Sequence, residues 1–201
     1  MSYPETPPPG IDRDAFASLT DAGLESCVRN ADDLARLIRD EARPRQRREI
    51  LDHVRRLRGD GVFGDADWEA LVRGYPELGL QVAFAALNEG DLDGFLALVT
   101  EDVEFTSMVA EAEGTTFRGH EGVREWWRTV RGAFEEVRWE LLEVRDYGDR
   151  AVVKLCMAGT LGGVRVEQTM WQLVTQRRGM ARSWRFFRTE REAEEAAEQE
   201  P

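Results

Sequence analysis

"ALNEGDLDGFLALVTEDVEF", residues 86–105, is a helix-like apolar run that stops at Asn88-Glu89-Gly90-Asp91 and resumes at once. A glycine just past a helix end supplies the left-handed residue that closes it. Asp91 is then a good N-cap for a second helix. The stretch predicts a helix, a two-residue corner, and a short helix carrying Leu92, Phe95, Leu96 and Val99. A strand at Asp102–Ser107 follows almost without a linker. So tight a corner suits two helices laid across a sheet at a fixed angle.

The rest of the chain is read outward from that corner. At 201 residues it is one domain with an extension, or two small modules. Hydrophobic residues make up 42%, and nine Phe with six Trp give ample material for a core. The net charge of −12 argues against a nucleic-acid partner, which needs a basic footprint to release counterions. No run approaches the ~18 apolar residues of a membrane span, and MSYPETPPPG lacks the basic-then-apolar pattern of a signal peptide. Cys27 and Cys156 fall in different predicted elements, so a disulfide is not expected and a reducing cytoplasm fits. Two histidines with no His/Cys/carboxylate cluster at ligand spacing give no metal site. No phosphate loop or dinucleotide fingerprint calls for a cofactor.

Residues 1–17 are Pro-rich and read as disordered. Residues 18–75 read as a small α-helical extension. Leu24, Cys27, Val28, Ala31, Leu34 and Ile38 form one stripe, and Ile50, Leu51, Val54 and Leu57 a second. Trp68, Leu71 and Val72 form a third, after an Asp65 cap. The stretch 43–58 holds seven arginines against two acids and reads as a solvated helix face. "EILDHVRRLRGDGVFGDADWEALV", 49–72, weakly resembles the SHOCT type of short helical hairpin, which implies a part in oligomerisation.

From Pro76 the texture changes. "GHEGVREWWRTVRGAF", 119–134, is a helix with Val123, Trp126, Trp127 and Val130 on its apolar side. Strands Val137–Asp146, Ala151–Thr160, Val164–Thr175 and Ala181–Thr189 follow, turning at Gly148, Gly162-Gly163 and Gly179. Successive hairpins predict an antiparallel sheet and an α+β fold. Residues 192–201 are an acidic tail, and from Glu190 onward the chain reads as either a charged helical extension or a frayed end.

Order and motifs together resemble the nuclear transport factor 2-like superfamily, in its SnoaL-like and ketosteroid isomerase-like branch. The resemblance covers about residues 76–191. It rests on "AALNEGDLDGFLALVTEDVEF", "RGHEGVREWW" and "GVRVEQTMWQLV…RRGMARSWRFFRTEREAEEAA" in that order. It implies a curved antiparallel sheet wrapped into a cone and closed by three helices around an apolar cavity. Activities in that family vary, so fold alone assigns no chemistry.

Ketosteroid isomerase chemistry needs a carboxylate base and an oxyanion hole of a tyrosine and a protonated aspartic acid. The resemblance lays those three positions on Ala83, Ser107 and Trp171, none of which fits its role. Glu104 is the nearest carboxylate to the base position. The same overlay turns Trp126, Trp127, Trp171, Trp184 and Phe186 toward the cavity, with Phe105, Ser107 and Thr169 also lining it. Such rings suit a small hydrophobic molecule, aromatic or polycyclic. They could equally fill the cone as core.

Glu167 shares a strand face with Trp171 and is the candidate acid or base, because burial among rings would raise its pKa. Arg165-Val166-Glu167 loosely echoes the Arg/Asp pair of epoxide-hydrolase relatives. His120 opens a helix and could exchange protons near neutral pH, whereas His53 reads as surface. Arg188, past Trp184 and Phe186, could clamp a carboxylate or phenolate. Val164, Val166, Met170 and Val174 read as the outward face of their strand, through which two copies would form a homodimer. Two readings stay open: a small-molecule binder, with or without catalysis, and an assembly module with a filled cone.

Overall fold

At the Gly90 corner one helix ends and the next begins on shared residues. The computed structural model describes residues 76–106 and 116–199, together with Leu51, Val54, Arg55, Arg58, Trp68, Glu69 and Val72. Expectations for residues 1–50, for His53 and for Ser107 fall outside these. Helix α1 (Pro76–Glu89) runs into Gly90, whose φ is 77°. The Gly90 N–H donates to the Leu87 carbonyl at 3.2 Å, and the Asp91 N–H to the Ala86 carbonyl at 2.9 Å. Those two bonds satisfy carbonyls that a helix end leaves open. The Asp91 carboxylate then accepts from the Gly94 N–H at 2.9 Å and caps α2 (Leu92–Leu96). A Cβ on Gly94 would run into that carboxylate, so the cap needs glycine there.

Strand β1 (Val99–Thr106) starts three residues earlier than expected. Strand β2 (Phe117–Arg118) and α3 (Gly119–Ala133) follow. Then come β3 (Glu136–Asp146), β4 (Arg150–Leu161), β5 (Val164–Arg177), β6 (Met180–Phe187) and α4 (Glu190–Gln199). The six strands form one sheet in the order β2-β1-β6-β5-β4-β3. Gly162 and Gly163, at φ 56° and 77°, close the β4–β5 hairpin with two left-handed residues, the turn whose twist matches the strands. The fold is the expected α+β cone, with one difference in strand sense. Strand β1 lies parallel to β6, not antiparallel. The two are far apart in sequence, so no hairpin fixes their relative direction.

Register divides the sheet into two faces. Phe105 stands beside Trp184, Trp184 beside Val174, Gln172 beside Phe186 and Val153, and Trp139 beside Met157, itself beside Gln168. That set is the inner face, which packs rings of α1, α2 and α3. Trp171 stands beside Phe187 and Lys154, Thr169 beside Cys156, and Glu167 beside Ala158, on the outer face. Val164, Val166, Met170 and Val174 therefore take the inner face, not the outward one. Met170 and Val174 are buried there.

Helix α4, the helical alternative for the acidic tail and additional to the three helices of the cone, covers one end of the outer face. Ala193 and Ala197 pack with Val152, Trp171 and Leu173. Arg145 reaches Glu143, Glu190 and Glu194, and its guanidinium lies 5.6 Å from the Trp171 ring. The Arg150 guanidinium donates to the Ala197 carbonyl at 2.7 Å. Thr189 and Glu192 exchange two bonds, Glu192 N–H to Thr189 Oγ1 at 3.3 Å and Thr189 N–H to Glu192 Oε2 at 3.1 Å. This reciprocal box starts the helix and holds the Glu192 carboxyl below its usual range.

The chain divides into two compact units, one ending at Val82 and the other starting at Ala83. In the first, Leu51, Val54, Trp68 and Val72 are buried, as their stripes predict. The Arg58 guanidinium lies 5.8 Å from the Trp68 ring. No helix among the described residues is long and apolar enough to cross a membrane.

Two glycines of the second unit give opposite expectations for the same substitution. A Cβ at Gly159 would meet the Glu136 carbonyl oxygen at 2.5 Å and the Phe134 ring at 2.8 Å, whereas one at Gly132 in α3 meets nothing. Urea denaturation should show Gly159→Ala losing about 1–3 kcal/mol through overpacking. Gly132→Ala should gain roughly 0.5–1 kcal/mol from helix propensity.

Candidate functional site

Three helices and three strands bring seven rings into one cluster on the inner face. The α3 pattern puts Val123, Trp126 and Trp127 on its buried side. The Gly90 corner carries Phe84 on α1 and Phe95 on α2 to the same place. Phe105 comes from β1, Trp139 from β3 and Trp184 from β6. Trp126 is the hub, with ring centroids 4.4 Å from Phe105, 6.0 Å from Trp127, 6.3 Å from Trp139 and 6.5 Å from Phe95. Trp184 joins Phe84 edge-on at 5.7 Å, Phe95 at 5.7 Å and Phe105 at 6.1 Å, and Trp127 lies 5.9 Å from Trp139. These tilted and edge-on geometries are the favourable ones for aromatic quadrupoles. Phe95 is fully buried, while Trp127 keeps 8% of its surface open. Phe186 is buried on the same face, beside Gln172.

Two amides fix the lining. The Trp184 Nε1–H donates to the Gln172 side-chain oxygen at 2.6 Å, which satisfies the indole. Asn88, at the end of α1, accepts from the Trp139 N–H and donates to the Trp139 carbonyl, both at 2.8 Å. Strand β3 is the edge of the sheet, and the Asn88 amide takes the place of a further strand at that point. It ties α1 to the strand that carries Trp139.

The residues expected to work together are split between the faces. Phe105, Trp126, Trp127, Trp184 and Phe186 meet on the inner face. Trp171, Thr169 and Glu167 lie on the outer one. Glu167 does share a face with Trp171, but Glu167 and Thr169 are exposed, and Trp171 packs under α4. The Trp171 ring also lies 5.2 Å from the Lys154 ammonium. Arg188 is exposed past β6, in an open groove of about 500 Å³ with Phe187, Glu192 and Glu195. The His120 Nε2 stands 3.4 Å from the Val99 carbonyl and ties the start of α3 to β1. Sequence reasoning passed over Phe84, Trp139, Gln172 and Asn88. For Trp139 a signal existed in the alternation Val137/Trp139/Leu141; for the two amides there was none. Among the described residues, only Arg55 and Thr100 are buried polar side chains, so no carboxylate is buried with the rings.

Glu167 acts on Cys156 instead. Burial pushes the thiol above its ordinary range, and the charges of Glu167 and Glu140, with a hydrogen bond to Glu167, push the same way. In a Cys27→Ser background, iodoacetamide should label Cys156 slowly at pH 8 and faster as pH rises, because the thiolate reacts. Glu167→Gln should move that profile to lower pH; an unmoved profile contradicts the coupling. Asn88→Ala strips both partners from the Trp139 backbone and should lower the unfolding free energy by about 1–2 kcal/mol in urea.

Comparison with known proteins places this geometry. No curated protein matches the sequence. TerC, co-crystallised with polyporic acid, is 23% identical with a TM-score of 0.50, covering 60% of this chain and 96% of that one. A nuclear transport factor 2-like protein of unknown function from Burkholderia pseudomallei is 24% identical, TM-score 0.50, covering 57% and 90%. A ketosteroid isomerase-like fold protein from Catenulispora acidiphila, in complex with trimethylamine, is 18% identical, TM-score 0.50, covering 63% and 98%. At such identities the likeness is one of fold. Residues 80–194, more than half of the chain, match the SnoaL-like domain, and the chain belongs to that family.

Proposed function

We propose that the second unit binds a small hydrophobic molecule, aromatic or polycyclic, against the ring cluster, and that Glu167 takes no part in any chemistry there. The observation that carries this reading is the cluster itself: seven rings in one chain of contacts, with no carboxylate buried among them in the described residues. A lining of rings and fixed amides orients a flat guest by stacking and shape. Acid–base work would need a titratable group within hydrogen-bond reach of the guest. Glu167 is across the sheet, and His120 is engaged with the β1 backbone. The TerC and Catenulispora proteins, crystallised with polyporic acid and trimethylamine, support small-molecule binding as a use of this fold.

The second reading is a scaffold whose cone is filled and which works by assembly. Ring centroids of 4.4–6.5 Å favour it, because rings in mutual contact leave less room between them. Pairing of two copies through the outer sheet face belongs to this reading. With α4 over the Trp171 end, such pairing would use the end that carries Arg165, Glu167 and Thr169.

Titration with 1-anilinonaphthalene-8-sulfonate and a panel of neutral polycyclic compounds, followed by tryptophan fluorescence, separates the two. Binding should saturate at one guest per chain. Trp139→Leu should weaken it at least about tenfold, about 1.4 kcal/mol, and Glu167→Gln should leave it unchanged. No saturable change across the panel would favour the scaffold. Loss of binding in Glu167→Gln would return that residue to the site.

A further inference from the structure

Strand β5 outlasts its neighbour. It pairs with β4 along its whole length, from Leu161↔Val164 to Arg150↔Thr175, but its pairing with β6 begins only at Trp171↔Phe187. From Val164 to Met170, β5 has no strand beside it on the β6 side among the described residues. The direction of its backbone groups follows from the ladder. Trp139 turns its N–H and carbonyl away from β4, toward Asn88. In an antiparallel sheet the two directions alternate along each strand. Carried across β4, the alternation points the even residues of β5 at β4 and the odd ones at the open side. Among the described residues, Arg165, Glu167 and Thr169 thus offer a free row of backbone donors and acceptors. Val164 is 63% exposed beside them.

We infer that this edge pairs with the same edge of a second copy, antiparallel, about a two-fold axis at Val166. Charge selects that register. Centred on Val166, Arg165 of each copy stands opposite Glu167 of the other, so two opposite-charge pairs form on the outer face. A two-fold interface makes each contact twice. Centring on Glu167 would set glutamate against glutamate, and centring on Arg165 would set arginine against arginine. Shifts that place an odd residue opposite an even one fail because only the odd residues present backbone groups. In the chosen register the narrow backbone pair is Arg165 with Glu167, Val166 faces Val166, and the exposed Val164 stands opposite residue 168 of the other copy. Arg165, Glu167 and Thr169, on an edge with no described strand beside it, are a template for such pairing, and the sequence Arg-Val-Glu reads as its own complement. The inference is independent of whether the cup holds a guest.

Light scattering after size exclusion, on the full chain, tests it through charge reversal. Wild type should be a dimer at high concentration that dissociates on dilution. Arg165→Glu and Glu167→Arg should each be monomeric, with unchanged circular dichroism because both side chains are exposed. The double variant Arg165→Glu with Glu167→Arg exchanges the charges and should recover the dimer. Hydrogen exchange should slow at the Arg165, Glu167 and Thr169 amides as concentration rises. A wild type that stays monomeric, a dimer that survives both single reversals, or a folded double variant that stays monomeric would each overturn the proposal.

Discussion

One aspartate serves two helices. The Asp91 N–H closes α1 through Ala86, and its carboxylate opens α2 through Gly94. Because the two roles fall on one residue, the angle between the helices has little freedom. Gly90 must hold a positive φ and Gly94 must lack a side chain. Phe84 and Phe95 ride on the two arms of the corner and reach the same indole, Trp184. The ring cluster is therefore set by backbone geometry as much as by hydrophobic attraction. Asn88, two residues before Gly90, fastens the same corner to β3.

The sheet supports apolar contacts on both sides. Within β5, Met170 and Val174 are buried on the inner face, and Trp171 and Leu173 lie under α4 on the outer. Small alanines face the sheet on α4, so its hold relies on ion pairs of Arg145 and on the bond from Arg150. Surface ion pairs alone contribute little. Here Arg145 gathers three glutamates while stacking on Trp171, and networks of that kind hold better than single pairs. The outer tryptophan thus anchors a helix, whereas the inner tryptophans pack into the ring cluster.

That two-sidedness explains what the sequence could and could not show. The corner, the α3 stripe and the four hairpin strands were legible, because each rests on local signals: a glycine, a cap, a period. So was the inner position of Trp126, Trp127, Trp184 and Phe186. The side of the sheet on which Trp171 sits was not legible. Alternation assigns a face only where one face is polar, and Met170-Trp171 and Leu173-Val174 are apolar on both. Without α4 in view, a tryptophan on β5 looks like lining. The swap of Trp171 to the outer face carries Glu167 and Thr169 with it, since all three share parity. The amides Asn88 and Gln172 were invisible for another reason: their partners lie 51 and 12 residues away, and neither amide belongs to a motif.

The functional reading thus depends on which face of the sheet receives a guest. A crystal structure of the protein saturated with a flat aromatic probe decides this most directly. The expected result is the probe stacked in the cup, in van der Waals contact with Trp127 and Trp139. A probe seated instead on the outer face, at Glu167 or in the groove of Arg188, would contradict the account.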